Sequence, residues 1–371
     1  MKKATPMNQK LKVLAKWLIF LAVLVGLFLS AKTSVARWNE QSEAIQREIA
    51  ELDANLEVSK RDVDRKNILA AREKLIASRP TLNNLRWDYL CLSAVLYGLG
   101  LVPSGILLHL ALKSLGQSTR LGVCIASQTL GHIGKYFPGK ALVVILRTNA
   151  LSRFGVPVRD GTVCVFIETL IMMAVGGAVS TAIVVWLPVP SWIIGLSLIA
   201  AILASIPTLP PVLSRITAKV CKPKRERSAE QSIGDELEPA IDIPTPSWGL
   251  ILAGWSLSIL TWVFFGLSFA CVIQAIPSPV EFPEGAKLIA VSTAAISLAV
   301  VAGFASLLPG GAGVRELVLA TILGVTLTST HGLLAAILIR CVHIVVEAIT
   351  AAMSWVLLRR MPISPADSHG T

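Results

Sequence analysis

Residues 248–277 read WGLILAGWSLSILTWVFFGLSFACVIQAIP, thirty positions without one acidic or basic side chain. A helix of about 20 apolar residues crosses a hydrocarbon core about 30 Å thick, so this stretch has length to spare for a membrane crossing. The neighbouring sequence repeats the character. Tyr89–Leu112, Gly161–Leu187, Trp192–Leu213, Leu288–Pro309 and Gly332–Leu358 are all long and poor in charge. Over 371 residues, 54% are hydrophobic and 15% charged, with a mean hydropathy of +0.68. That balance is foreign to a water-soluble domain of this size. A membrane β-barrel would show short alternating segments instead. The expectation is an all-α, polytopic transmembrane helical bundle.

The formal net charge of +11 does not point to nucleic acid. Its lysines and arginines cluster at the ends of the apolar runs, where basic residues set topology and meet anionic head groups. Lys113 and Arg120, then Arg147, Arg153 and Arg159, then Arg215 to Arg227, and lastly Arg359 and Arg360 mark the cytoplasmic side. Pro188–Ser191 and the acidic loop Glu281–Glu284 mark the opposite side. This orientation fits an inner, cytoplasmic membrane with both termini inside. The six cysteines make no CxxC pair, and the five histidines lack metal-ligand spacing. No metal, cofactor or disulfide framework is expected.

Residues 1–36 join a lysine-rich start to an apolar run and read as a transmembrane anchor. A signal peptide cut after Ser34-Val35-Ala36 is the open alternative. Residues 37–85 are polar and helix-prone, with Ile45, Ile49, Leu52, Leu56 and Val63 at heptad spacing, interrupted by Ser59 and Lys66. They are expected outside the cytoplasm, as an amphipathic spacer or as a short coiled coil with a partner or second copy. The first membrane half follows at 86–213. A mixed-charge, Ser/Gly/Pro-containing linker at 214–247 separates it from a second half at 248–360 and a tail at 361–371.

Charge parity exposes an irregularity in each half. The basic clusters before and after Leu121–Leu146 both need the cytoplasm, so the segment must enter and return. Its centre is Gly134-Lys135-Tyr136-Phe137-Pro138-Gly139-Lys140, where Pro138 and Gly139 break a helix. Residues 121–150 are therefore expected to form a re-entrant hairpin. The second half carries Leu308-Pro309-Gly310-Gly311-Ala312-Gly313-Val314-Arg315-Glu316 within a hairpin at 288–328. Its breaks are expected at Pro309, Gly310, Gly311 and Gly313. Broken backbone at membrane depth is tolerated only when buried in protein or lining a wet cavity. Two such breaks in halves of opposite sense suggest an inverted repeat around a substrate.

At these two motifs, together with Arg147, Glu168 and Arg340, the sequence resembles the transmembrane region of lysylphosphatidylglycerol synthases, from about Leu85 to Leu358. Members of known role move aminoacylated phospholipids between leaflets. The bifunctional synthases carry a soluble aminoacyltransferase domain after the membrane part, whereas this sequence runs eleven residues beyond Arg360. Synthase activity is therefore not expected, and the charged segment 37–85 has no counterpart in the resemblance.

The resemblance implies a flippase-like carrier of an anionic, aminoacylated or polyprenyl-linked lipid. A lipid-modifying transferase, and a scaffold recruiting partners through 37–85, are the alternatives. Intramembrane charges cost several kcal/mol unless paired or wetted, so each needs a reason. The candidate substrate-binding residues are Lys135, Lys140, Arg147, Glu168, Arg315, Glu316, Arg340 and Glu347. Arg147, Glu168, Arg315, Glu316 and Arg340 are expected to converge on one cavity. Arg340 has Glu168 or Glu347 as an acidic partner, or else a lipid phosphate, which suits its bidentate geometry. Lys135 and Lys140 could equally snorkel to the surface. No catalytic constellation is evident.

Overall fold

The computed structural model describes residues 32, 35–36, 38–40, 42–58 and 61–362, except 80, 137–140, 210, 214, 216–246, 278–282, 284, 307, 309–310, 312 and 328. The expected anchor, linker and tail fall almost wholly outside these residues, as do Pro138, Gly139, Lys140, Pro309 and Gly310. Among the described residues every regular element is a helix. In chain order they are α1 (42–58), α2 (Asp62–Ser78), α3 (Trp87–Gly100), α4 (Val102–Ser114), α5 (Leu121–Gly131) and α6 (Ala141–Ser152). There follow α7 (Val158–Val184), α8 (Ser191–Ser205), α9 (Trp248–Ala275), α10 (Gly285–Ala305), α11 (Val314–Thr326) and α12 (Ser329–Arg360). Six helices among the described residues are long and apolar enough to cross a membrane, α3 and α4 joining into one span at Leu101.

The quoted stretch became α9, started by the Ser247 hydroxyl, which accepts from the Leu250 amide at 3.2 Å. It lies at the centre of the bundle, packed on α3, α7 and α10. Every residue from Val291 to Val301 of α10 is buried, so that helix is wrapped by protein on all sides. Gly100 and Gly177 sit where helices approach each other closely. A Cβ at Gly100 would meet Phe264 and Phe265 at 2.9 Å, and one at Gly177 would meet the Ala201 Cα at 2.9 Å.

α5 and α6 have 11 and 12 residues, about 16–18 Å at 1.5 Å per residue, roughly half a hydrocarbon core. They pack on each other through a 3₁₀ turn at His132–Tyr136. A Cβ on Gly134 would stand 2.6 Å from the Val143 amide nitrogen, so the two arms meet backbone to backbone. In the second half the arms are unequal: α10 has 21 residues and α11 has 13. The first arm of the 288–328 element is thus long enough to span by itself, because nothing between Gly285 and Ala305 breaks the helix. The halves also exchange partners. α5 packs on α12, α10 packs on α7, and the leading helices α3 and α9 pack together.

The segment at 37–85 differs from both readings of it as one helix. A helix is described through residue 58, Arg61 is extended, and α2 begins at Asp62. Arg72 Nε donates to Asp53 Oδ1 at 2.6 Å and Arg79 Nε to Ser42 Oγ at 2.9 Å, so α1 and α2 run antiparallel. Ile45, Ile49, Leu52 and Leu56 do turn inward, but Val63 is 72% exposed. The heptad residues are shielded up to residue 56, on a helix that α2 runs beside. Cysteines placed at Ser42 and Arg79 in a background without the native cysteines should be joined within one chain by a short bifunctional thiol reagent. Predominant dimer formation on a denaturing gel would contradict the antiparallel pair.

Candidate functional site

A cavity of about 580 Å³ lies between the α5–α6 hairpin and the α10–α11 turn, closed by α3, α7, α9 and α12. Its polar side carries Lys135, Arg147, Glu168, Arg315, His132 and Gln128. Its other wall is Val143, Val144, Leu170, Met172, Phe166 and Phe304. Phe166 and Phe304 are also 46% and 37% exposed, so the apolar wall continues onto the outer, lipid-facing surface.

The two arginines that line the cavity each lie across a glycine of a neighbouring helix. Arg147 lies on α6 and crosses the end of α5 at Gly131, where a Cβ would stand 2.5 Å from its Cγ and Nε. Arg315 opens α11 and crosses α10 at Gly303, where a Cβ would stand 2.7 Å from its Cγ. Gly311, at φ +67°, holds the turn that delivers Arg315 and leaves 2.8 Å between a would-be Cβ and the arginine Nε. Any larger residue at Gly131 or Gly303 would push its arginine out of place. Neither glycine stands out in the sequence, because the crossing is a property of the folded pair.

The pairings are specific. Arg147 Nη1 bonds Glu168 Oε2 at 2.9 Å, Gln128 Nε2 donates to Glu168 Oε1 at 3.0 Å, and the Thr169 hydroxyl donates to Oε2 at 3.3 Å. Glu347, wholly buried on α12, accepts from Lys135 Nζ, from the Tyr97 hydroxyl, and from the Tyr136 hydroxyl at 2.7 Å. His343 stacks on Tyr97 with ring centroids 3.7 Å apart. Glu316 accepts from the Gly313 amide at 2.6 Å, capping α11, and pairs with Arg340 Nε at 3.3 Å.

These contacts correct several expectations. Arg340 bonds neither Glu168 nor Glu347; the register of α11 against α12 gives it Glu316. Lys135 does not snorkel, because Glu347 holds it inside. Of the five residues expected to converge, Arg147, Glu168 and Arg315 line the cavity, whereas Glu316 and Arg340 pair beside it without lining it. Glu347 stands directly behind the wall through Tyr97 and Lys135. Tyr97 and Gln128 were missed, although a lone polar residue in an apolar run is the signal that marks intramembrane sites.

Arg315 is the exception among the charges. Among the described residues no carboxylate lies within 4 Å of it, and its buried Nε has no hydrogen-bond partner. Arg147 Nε, Gln128 Oε1, His132 Nε2 and His343 Nε2 are likewise buried without partners. All five atoms belong to residues that line the cavity, so unused hydrogen-bonding capacity lies in its walls.

Residues 70–351, well over half the chain, match the family model described as the lysylphosphatidylglycerol synthase TM region. No curated protein matches the chain.

The Glu316–Arg340 pair has a structural signature. Arg340→Gln leaves a nearly buried carboxylate without its cation and should lower stability by about 1–3 kcal/mol. The double change Glu316→Gln with Arg340→Gln should recover much of that loss, since glutamine can still accept from the Gly313 amide. Thermal unfolding in detergent measures both, and an unaltered Tm for Arg340→Gln would contradict the assignment.

Proposed function

Because the chain belongs to the lysylphosphatidylglycerol synthase transmembrane-region family, we propose that this membrane protein is a flippase-like transporter that moves a phospholipid between leaflets. The observation that carries the reading is the division of the cavity into two chemistries. One side holds Arg315, with no carboxylate within 4 Å among the described residues, and the other is an apolar wall that reaches the outer surface at Phe166 and Phe304. A phospholipid is divided in the same way, with a phosphate at one end and acyl chains at the other. Arginine suits the phosphate because its planar fork gives two parallel donors and stays charged.

We also read α5–α6 as re-entrant and the two halves as an inverted repeat. The half-length arms and the exchange of partners between the halves support this. In such a layout the head group sits between the two breaks, and rocking of one half against the other alternates its exposure. The reading goes with a cytoplasmic membrane location and both termini inside, consistent with the basic loops. Embedded transferase chemistry is less well supported. Glu168 and Glu347 each already hold three donors, which occupy most of their lone pairs.

The test is leaflet exchange of a fluorescent phospholipid in proteoliposomes, scored by quenching from outside. The purified chain should accelerate exchange over empty vesicles. Arg315→Gln should slow it by about ten-fold or more, equivalent to roughly 1.4 kcal/mol, with Tm nearly unchanged since no internal ion pair is broken. Full exchange by Arg315→Gln would remove the site from the mechanism.

A further inference from the structure

We propose that Glu347 and Lys135 form a proton-binding site, and that a proton taken up there is coupled to the movement of the lipid. The inference rests on the transport reading above and concerns what powers it. It turns on which buried acid can be neutralised without leaving its neighbours unserved.

The paired acids of the bundle differ in what holds them. Glu316 accepts from a backbone amide and a guanidinium, and both can only donate. Glu168 is held by Arg147, whose guanidinium stays charged, together with Gln128 and Thr169. A proton on either acid would strand an arginine inside the bundle, an arrangement that membrane helices avoid. Glu347 is held by an ammonium and two phenols, from Lys135, Tyr97 and Tyr136. A phenol donates to a carboxylate and can turn to accept from a carboxylic acid, so both forms of Glu347 keep their hydrogen bonds.

Lys135 gives this acid its access to water. Among the described residues it is the one lysine that is not exposed at the surface, and it lines the cavity. Its side chain is 20% exposed, whereas that of Glu347 behind it is 1% exposed. Lys135 passes one ammonium proton to the carboxylate, so an N–H bond breaks and an O–H bond forms. It then regains a proton from hydronium in the cavity. The result is a neutral Glu347 and an ammonium without its counter-charge, free to turn into the cavity. When the cavity faces the other side of the membrane, the same steps run in reverse and the proton leaves to water there.

The position of the pair turns this proton into movement. Lys135 and Tyr136 belong to the turn of the α5–α6 hairpin and Glu347 to α12, so neutralising Glu347 unties the hairpin from α12. The other groups facing the pair are Tyr97 of α3, His132 of the turn, and His343 and Arg340 of α12. α11 adds Arg315 and Glu316, and Glu316 already offsets Arg340. α5 and α9, which also pack on α12, bring no acidic or basic side chain. A freed ammonium therefore adds to the positive charge of Arg315 and attracts a lipid phosphate. The phosphate in turn holds Lys135 away from Glu347, so proton and lipid favour each other's binding, and by linkage that effect is reciprocal.

The experiment has two arms, both on the full chain. In detergent, infrared difference spectra across a pH titration should show the carbonyl band of a protonated carboxylic acid, and Glu347→Gln should lack it. In phosphatidylcholine vesicles, trace fluorescent phosphatidylglycerol or its lysyl ester is followed between leaflets under an imposed pH difference, with the membrane potential clamped. With one proton per lipid, a difference of one pH unit can shift the leaflet distribution by up to about ten-fold. The native chain should shift at least one probe several-fold beyond empty vesicles, and Glu347→Gln and Lys135→Arg should leave the distribution even. Lys135→Arg keeps an ion pair with Glu347, so its Tm should stay near the native value and its loss of coupling is not a loss of fold. Exchange by the native chain that ignores the pH difference overturns this inference and leaves the transport reading standing. An infrared band unchanged in Glu347→Gln, or a full gradient response by Lys135→Arg, overturns it in the same way. No exchange of either probe under any condition removes the transport reading, and the coupling falls with it.

Discussion

A charge inside a membrane domain has no water to fall back on, and the fold is arranged around that constraint. Among the described residues, three ion pairs inside the bundle each tie a short element to a longer one. Lys135, in the turn after α5, is held by Glu347 of α12. Arg147 of α6 is held by Glu168 of α7, and Glu316 of α11 by Arg340 of α12. α5, α6 and α11 have only 11 to 13 residues and little apolar surface with which to hold their positions. Low dielectric makes each pair strong and makes a lone member costly, so the pairs fix the hairpins where packing alone would leave them free to slide.

Glycine is what lets these charges come inside. At Gly131 and Gly303 an arginine side chain lies across the backbone of the opposite arm, in space a Cβ would fill. The two crossings are alike in construction and differ in outcome. Arg147 reaches Glu168, whereas Arg315 reaches the cavity and meets no acid among the described residues. One arginine is closed off by its own acid, whereas the other ends at a cavity whose apolar wall runs out to Phe166 and Phe304.

Much of the membrane architecture is legible in the residues. The charge-free run at 248–277 is a helix because nothing else satisfies its backbone in hydrocarbon, and the other long apolar runs became helices for the same reason. The half-length arms on either side of Gly134 were legible from the basic residues flanking them. The interrupted heptad was legible too, up to Leu56. The antiparallel run of α2 beside it was not, since that rests on Arg72 meeting Asp53 and Arg79 meeting Ser42, residues far apart in sequence.

Composition and spacing therefore determined which segments are long and apolar enough to enter the membrane, and which charges needed an explanation. Those follow from transfer free energies, which depend on the side chain and its near neighbours along the chain. Which acid meets which base was decided only by tertiary structure. Arg340 could have met Glu168, Glu347 or Glu316 with equal chemical merit, and the register of α11 against α12 chose Glu316. The cavity, the glycine crossings and the solitary state of Arg315 have the same origin. Each is set by distances across the bundle of a few ångströms, between residues that the sequence keeps far apart.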